Sequence, residues 1–196
     1  MNRLMDSCKI KIMDRQEINL MLAEGLKRSM KINEFEKVRV GDICEQSGVS
    51  RQTFYRHFKD KYDLLNWYFG VILNNSFKHM GQGSTLHEAL VKKLTYIKEE
   101  RLFFTQAFKY GEQNNLKDHD YELIYSFYKN KLTQATNQLL PSNIDFILQM
   151  YCQGSVFMTV QWLINGCQES VLDMVDNLIQ AMPIGLSDYF KQSHLI

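Results

Sequence analysis

Apolar residues recur at helical spacing along nearly the whole chain, and few runs alternate strictly enough for strands. Asp14 and Glu17 form a capping-box pattern ahead of Ile18, Met21, Leu22 and Leu26, which predicts a first helix from about Gln16 to Lys31. Val40–Ser47 reads as a short second helix with Ile43 and Cys44 facing inward. Gly48 is its left-handed stop, and Ser50 caps a third helix from about Arg51 to His57. Lys59 and Asp60 lead into a fourth helix, Lys61 to about His79.

Gly81-Gln82-Gly83 is a flexible break, followed by a second capping box in Thr85-Leu86-His87-Glu88. Helices are then expected near Arg101–Tyr110, Asp118–Leu140 and Ser142–Asn165, with Ser142 and Asp145 capping the last. Ser170 with Asp173 caps a final helix ending before Pro183. The fold class is therefore all-α, with about nine helices. Two domains are expected: residues 1–65, and residues 66–196, with a bridging helix over about 61–79.

Composition adds limits. The chain has 196 residues, 45% hydrophobic and 23% charged, ordinary for a globular protein. Net charge is +1, which excludes a uniformly basic nucleic-acid binder. Residues 1–70 carry 13 Lys and Arg against 10 Asp and Glu, so the small positive excess lies at the N-terminal end. No apolar run approaches a membrane span, and Met1–Met13 lacks the apolar core of a signal peptide. A cytoplasmic protein is expected, without membrane contact. Cys8, Cys44, Cys152 and Cys167 show neither paired spacing nor a neighbouring His cluster. That argues against a disulfide framework or a metal site and for buried free thiols.

The chemistry lies between Val40 and Leu65. Ile43, Val49, Phe54 and Phe58 fall on the inner faces of two short crossing helices. Arg51, Gln52, Tyr55, Arg56 and His57 stay outward, with Thr53 near the edge and no acid among them. A short helix with such a face fits the major groove.

The run Thr53-Phe54-Tyr55-Arg56-His57-Phe58, then Lys59-Asp60-Lys61 and Leu64-Leu65, resembles the helix-turn-helix of the tetracycline-repressor (TetR) family. The resemblance covers roughly the first third of the chain. It implies that Arg51, Gln52, Thr53 and Arg56 face base edges, and that Tyr55, His57, Lys61, Lys37 and Arg39 reach phosphates. Arg39 departs from the family, which usually has a capping Ser or Thr there. Arg51-Gln-Thr-Phe-Tyr, Asp60–Trp67 and Phe35-Glu-Lys look like the family's dihydroxyacetone-kinase regulator branch. That branch implies control of a metabolic operon, sometimes as an activator with a partner protein.

Tyr151–Gly166 is similar to the family's penultimate helix, which implies a homodimer on a pseudo-palindromic operator. Gly154, Ser155, Met158, Trp162, Val171, Met174, Val175 and Leu178 would form its interface. An unknown small-molecule effector is implied as well, with Phe103, Phe104, Phe108, Tyr125, Tyr128 and Phe146 as its candidate pocket. Aromatics at helical spacing more often fill a core. The expected function is a sequence-specific DNA-binding regulator, a ligand-responsive repressor of a neighbouring operon, needing no cofactor. Activation with a partner protein is the alternative. A rival of another class is a protein-interaction module that has lost DNA binding.

An enzyme is not expected. Asp118-His119-Asp120 sits at a helix start, where Asp caps. Gly81–Thr85 lacks the Lys-Ser/Thr of a phosphate loop.

Overall fold

The computed structural model describes residues 14–80, 82–109 and 116–196. Those residues form ten α-helices and no strand. They are α1 (Arg15–Ile32), α2 (Val40–Ser47), α3 (Arg51–His57), α4 (Lys61–Phe77), α5 (Leu86–Glu99), α6 (Arg101–Lys109), α7 (Leu116–Thr136), α8 (Ser142–Ile164), α9 (Val171–Gln180) and α10 (Ile184–Gln192). A 3-10 turn at Phe35–Lys37 joins α1 to α2. Met1–Met13, with Cys8 among them, lie outside the described residues, as do Gly81 and Tyr110.

The expected helix starts come from local hydrogen bonds. Asp14 Oδ1 accepts from the Glu17 amide at 2.8 Å, and Glu17 returns a carboxylate to the Asp14 amide at 3.1 Å. Thr85 and Glu88 repeat the exchange at α5. Asp60 Oδ1 takes the amides of Tyr62 and Asp63 at the start of α4. Three boundaries differ from expectation. Helix α7 ends at Thr136 rather than Leu140, where Asn137 takes φ +52°. Ser142 lies inside α8, whose N-cap is Pro141 without a side-chain cap. Pro183 does not end the helical region but precedes α10. Its φ of −57° already suits a helix start, and its missing N–H is no loss in a first turn.

Helices α1–α3 close a small core of Leu22, Leu26, Ile43, Phe54 and Phe58. The crossing of α1 and α2 is tight at Gly25, where a Cβ would lie 2.6 Å from the Ile43 carbonyl oxygen and 2.7 Å from Ser47 Cβ. Behind this unit, α4 packs on α1, α5 and α7, α8 packs on α6 and α7, and α9 packs on α5. The same core continues through the bundle, where it is aromatic. Phe69 meets Phe104 and Phe108, and Phe77 meets Phe127 and Tyr128, edge to face.

One ion pair is sealed inside that core. Lys93 Nζ of α5 bonds both oxygens of Asp120 of α7, at 3.0 and 3.3 Å. Burial pushes the Asp120 carboxyl up, and the ammonium opposes the shift. Asp120, in the second turn of α7, is thus a buried ion-pair partner rather than a cap. His119 also has a structural contact, from Nε2 to the Asn66 carbonyl of α4 at 3.1 Å. Cys44, Cys152 and Cys167 are buried free thiols.

Candidate nucleic-acid interface

Recognition chemistry needs a rigid short helix with its polar face turned out. Gly48 takes φ +71°, a left-handed geometry that costs glycine little, and reverses the chain after α2. Ser50 Oγ then accepts the Thr53 amide at 3.1 Å and donates to Thr53 Oγ1 at 3.0 Å. Phe54 and Phe58 bury the inner face of α3. Arg51, Gln52, Tyr55 and Arg56 are exposed on the other face, Thr53 and His57 half-buried. Tyr55 keeps 60% exposure, with its ring edge held against Phe54. The Arg51 guanidinium folds over α2, so close that a Cβ on Gly41 would meet Nη2 at 2.2 Å. Arg56 Nη2 donates weakly to Thr53 Oγ1 at 3.5 Å.

The expected phosphate set divides. Arg39 is exposed beside the start of α2. Its side chain accepts nothing, as its chemistry dictates. Asp42 instead supplies the cap from inside the helix, taking the Arg39 amide at 2.8 Å. Lys37, also exposed, pairs with Glu34 at 2.8 Å. His57 Nδ1 lies 2.6 Å from Asn19 Oδ1 of α1. Burial, with repulsion from Arg15 and Arg56, holds the imidazole below its ordinary pKa. The neutral ring donates from Nδ1 to Asn19, which leaves Nε2 an acceptor. Only the imidazolium has a proton at Nε2 for a phosphate.

Lys61 has a task other than the expected phosphate contact. Its ammonium donates to the carbonyls of Phe35 at 2.6 Å, Glu36 at 2.9 Å and Val38 at 2.9 Å. Three donors meet three acceptors, so no N–H remains for a phosphate in this arrangement. The ammonium also sits 4.7 Å above the Phe35 ring. Burial holds its pKa below the usual lysine range, against the pull of Glu36 and Asp60.

The expected effector pocket is also revised. Phe104, Phe108 and Tyr128 are buried as packing residues, and Phe103, also buried, borders a cleft beside α1 and α6. Tyr125 donates to Asp145 at 2.8 Å and accepts from Lys129, and Phe146 is 62% exposed on α8. A cavity of about 640 Å³ opens elsewhere, between α1, α4 and α5. Leu20, Tyr68, Ile72, Ser76 and Tyr96 are among its walls, and the Tyr68 and Tyr96 hydroxyls bond to each other.

The expected dimer residues separate in the same way. Trp162, Met174, Val175 and Leu178 are buried within the chain, and Val171 is half-buried. Trp162 donates to the Glu169 carbonyl. Of the rest, Gly154 and Met158 are exposed and Ser155 half-buried on α8. They accompany Phe146, Met150 and Phe157, each more than half exposed. Met158 of this stripe belongs to the expected interface, Phe146 to the expected pocket, and Met150 and Phe157 to neither, although the spacing of Phe146, Met150 and Phe157, four and seven positions apart, is legible in the sequence. Asn19 and the Phe35 carbonyl gave no such signal, because their importance comes from partners distant in sequence.

No group of three or more potential ligands among the described residues is placed to hold a metal. No described helix is long and apolar enough to cross a membrane.

A capped helix-turn-helix with a cationic, acid-free outer face, carried on a helical bundle, defines a DNA-binding transcriptional regulator. The chain belongs to the TetR family: a family model for bacterial regulatory proteins of that family matches residues 30–67, and one for a transcriptional regulator C-terminal region matches residues 84–183. It is similar to the HTH-type dhaKLM operon transcriptional activator DhaS of Lactococcus lactis subsp. lactis (strain IL1403), 27% identical over 92 residues. That match spans about half of each protein, 45% of this chain and 47% of the relative. Among solved structures, the dihydroxyacetone kinase operon activator DhaS superposes with a TM-score of 0.64 at 19% identity, covering 87% of this chain and 97% of that one. The fatty acid degradation regulator FadR from Bacillus halodurans superposes at 0.60 with 16% identity, over 89% and 98%. At such identities these likenesses show the fold.

Proposed function

We propose that this regulator binds a pseudo-palindromic operator as a homodimer and controls a metabolic operon in the cytoplasm. The observation that carries the reading is the outer face of α3. Arg51 and Arg56 suit guanine edges, Gln52 suits adenine, and Tyr55 is free to reach a phosphate. Thr53, engaged with Ser50, borders the bases, and Lys37 and Arg39 flank the groove from the start of α2. His57 joins the phosphate set when protonated, and Lys61 positions the others. The DNA-binding unit is taken to end near residue 65, with the remainder for pairing and sensing.

Pairing is assigned to the α8 stripe of Phe146, Met150, Phe157 and Met158, with Gly154 allowing close approach. An apolar stripe of that length is costly to leave in water. A twofold pair would set two copies of α3 about one DNA turn apart, ~34–36 Å. The relative's name supports a metabolic operon and activation. A ligand-responsive repressor is the other sign of control, and the cavity beside Tyr68 and Tyr96 supports an effector. A reporter fused to the neighbouring promoter separates the two signs.

The direct test is fluorescence anisotropy on the DNA upstream of the gene across a salt series. Salt-sensitive binding by the wild type, lost in Arg51→Ala/Tyr55→Ala, is expected. No binding at low salt by a folded dimer would favour the interaction-module reading instead.

A further inference from the structure

The segment that brings Lys37 and Arg39 to the DNA face, residues 33–39, has few backbone bonds of its own. Its amides and carbonyls lie between two helices and must find partners. From one side Lys61 of α4 takes the carbonyls of Phe35, Glu36 and Val38. From the other side comes Gln106 of α6, 71 positions from Phe35 in sequence. Gln106 Oε1 accepts the Phe35 amide at 3.0 Å, and Gln106 Nε2 donates to the Met30 carbonyl at 3.2 Å.

Both partners are backbone groups that α1 leaves unsatisfied. The Met30 carbonyl belongs to the last turn of α1, and the Phe35 amide opens the 3-10 turn. A primary amide fits both, since it offers an acceptor and a donor from one rigid plane. Phe35 is thereby held at three points. Its amide is on α6, its carbonyl is on α4, and its ring is buried against Tyr62. A second tie crosses nearby, from Lys27 of α1 to Glu100 at the α5–α6 junction, 2.6 Å.

We propose that Gln106 is a positioning residue for DNA binding: it fixes the 33–39 segment to α6 and so makes the reach of Lys37 and Arg39 depend on where α6 sits. The inference rests on the DNA-binding reading above. The Gln106 amide hydrogen-bonds α6 to this segment, and Lys109 of the same helix adds a charge interaction with Glu34, so a shift of α6 relative to α1 either drags the segment or releases it. The clamp also lines a cleft of about 680 Å³ with Lys27, Met30, Leu102 and Phe103. Water reaches it there, so the two bonds can open without unfolding α6.

The test is Gln106→Leu in the full-length protein, with Gln106→Glu beside it. The glutamate keeps an acceptor for the Phe35 amide and loses the donor for Met30. Three readouts are taken well below the melting temperature: operator affinity, its salt dependence, and hydrogen exchange at the Phe35 amide. In Gln106→Leu, faster exchange at Phe35 and a loss of affinity of about five- to 150-fold are expected, the range two neutral hydrogen bonds allow. Gln106→Glu should fall between the two proteins. A role in folding alone would lower the melting temperature and leave the affinity of the folded protein unchanged, which would overturn the proposal. If Gln106→Leu does not fold, Gln106→Glu with wild-type affinity and faster Phe35 exchange would overturn it equally. Wild-type protein that binds no DNA would instead refute the reading beneath it, while exchange at Phe35 would still report the clamp.

Discussion

Replacing Lys61 with Met separates a positioning lysine from a phosphate-contacting one. The substitution keeps most of the apolar stem and removes the ammonium. Three charge-assisted hydrogen bonds disappear. Each would contribute ~1.5–3 kcal/mol if its acceptor were left dry. Glu36 is exposed, whereas Phe35 and Val38 are buried, so water replaces the bond to Glu36 and the other two keep ~1.5 kcal/mol each, ~3 kcal/mol in all. Removing the ammonium also removes the cost of its burial, so a net loss of about 2 kcal/mol is expected, less than the bonds alone supply. For a chain of this length that is a fall in melting temperature of roughly 4–8 °C.

The two roles differ in a second quantity. A lysine on a phosphate releases counterions when DNA binds. Its removal lowers the slope of log affinity against log salt by ~0.9 per protomer, ~1.8 for a dimer. A lysine bound to carbonyls leaves the slope where it was. Calorimetry together with anisotropy at four or five salt concentrations measures both. An unchanged melting temperature with a slope reduced by about 1.8 would refute the assignment made from the carbonyl distances.

Four further outcomes are expected. The folded His57 has the lower pKa, so the unfolded chain takes up its proton first as pH falls from the ordinary value of 6.5. Stability is then full above that pH and declines as pH drops through the folded pKa, a decline that denaturant titrations should find missing in His57→Gln. Gly25→Ala gains ~1 kcal/mol of helix propensity but forces a Cβ onto backbone 2.6 Å away, so a net loss of about 1–2 kcal/mol is expected from urea unfolding. Asp120→Ala strands Lys93 inside the core and should cost ~3–5 kcal/mol; Lys93→Met/Asp120→Leu should recover most of it, and equal losses in both would contradict the sealed pair. Phe157→Asp should shift sedimentation toward monomer at micromolar concentration and weaken operator binding with it; an unchanged dimer would move the pairing face off α8.

What the sequence revealed was set by locality. Asp14 with Glu17, Gly48 and Ser50 act within three or four residues, so the first three helices stand within a residue or so of expectation. Pro183 is local as well, yet proline suits both the end of one helix and the start of the next, and α10 was missed. Periodicity shows that a helix has an apolar face but not what covers it. Trp162 and Met174 were therefore assigned to a partner chain when their own chain buries them. Lys61 is the clearest limit. Its spacing from Phe54 and Phe58 follows the family pattern, but its ammonium bonds residues more than twenty positions upstream.

The sealed contact between Lys93 and Asp120 restricts how the bundle can change shape. Sliding α7 along α5 by one turn, ~5.4 Å, would part the two charges in a medium too dry to receive either. Rotation or tilting about the contact leaves it whole. The pair thus acts as a pin that resists sliding of α7 past α5 more than tilting about the contact, with α4 and α8 packed on α7 as well. His119, one residue from that pin, bonds the carbonyl of Asn66 on α4. A tilt about the pin would therefore pass to α4 over a very short lever arm, which suits small displacements of α4 better than a change of register.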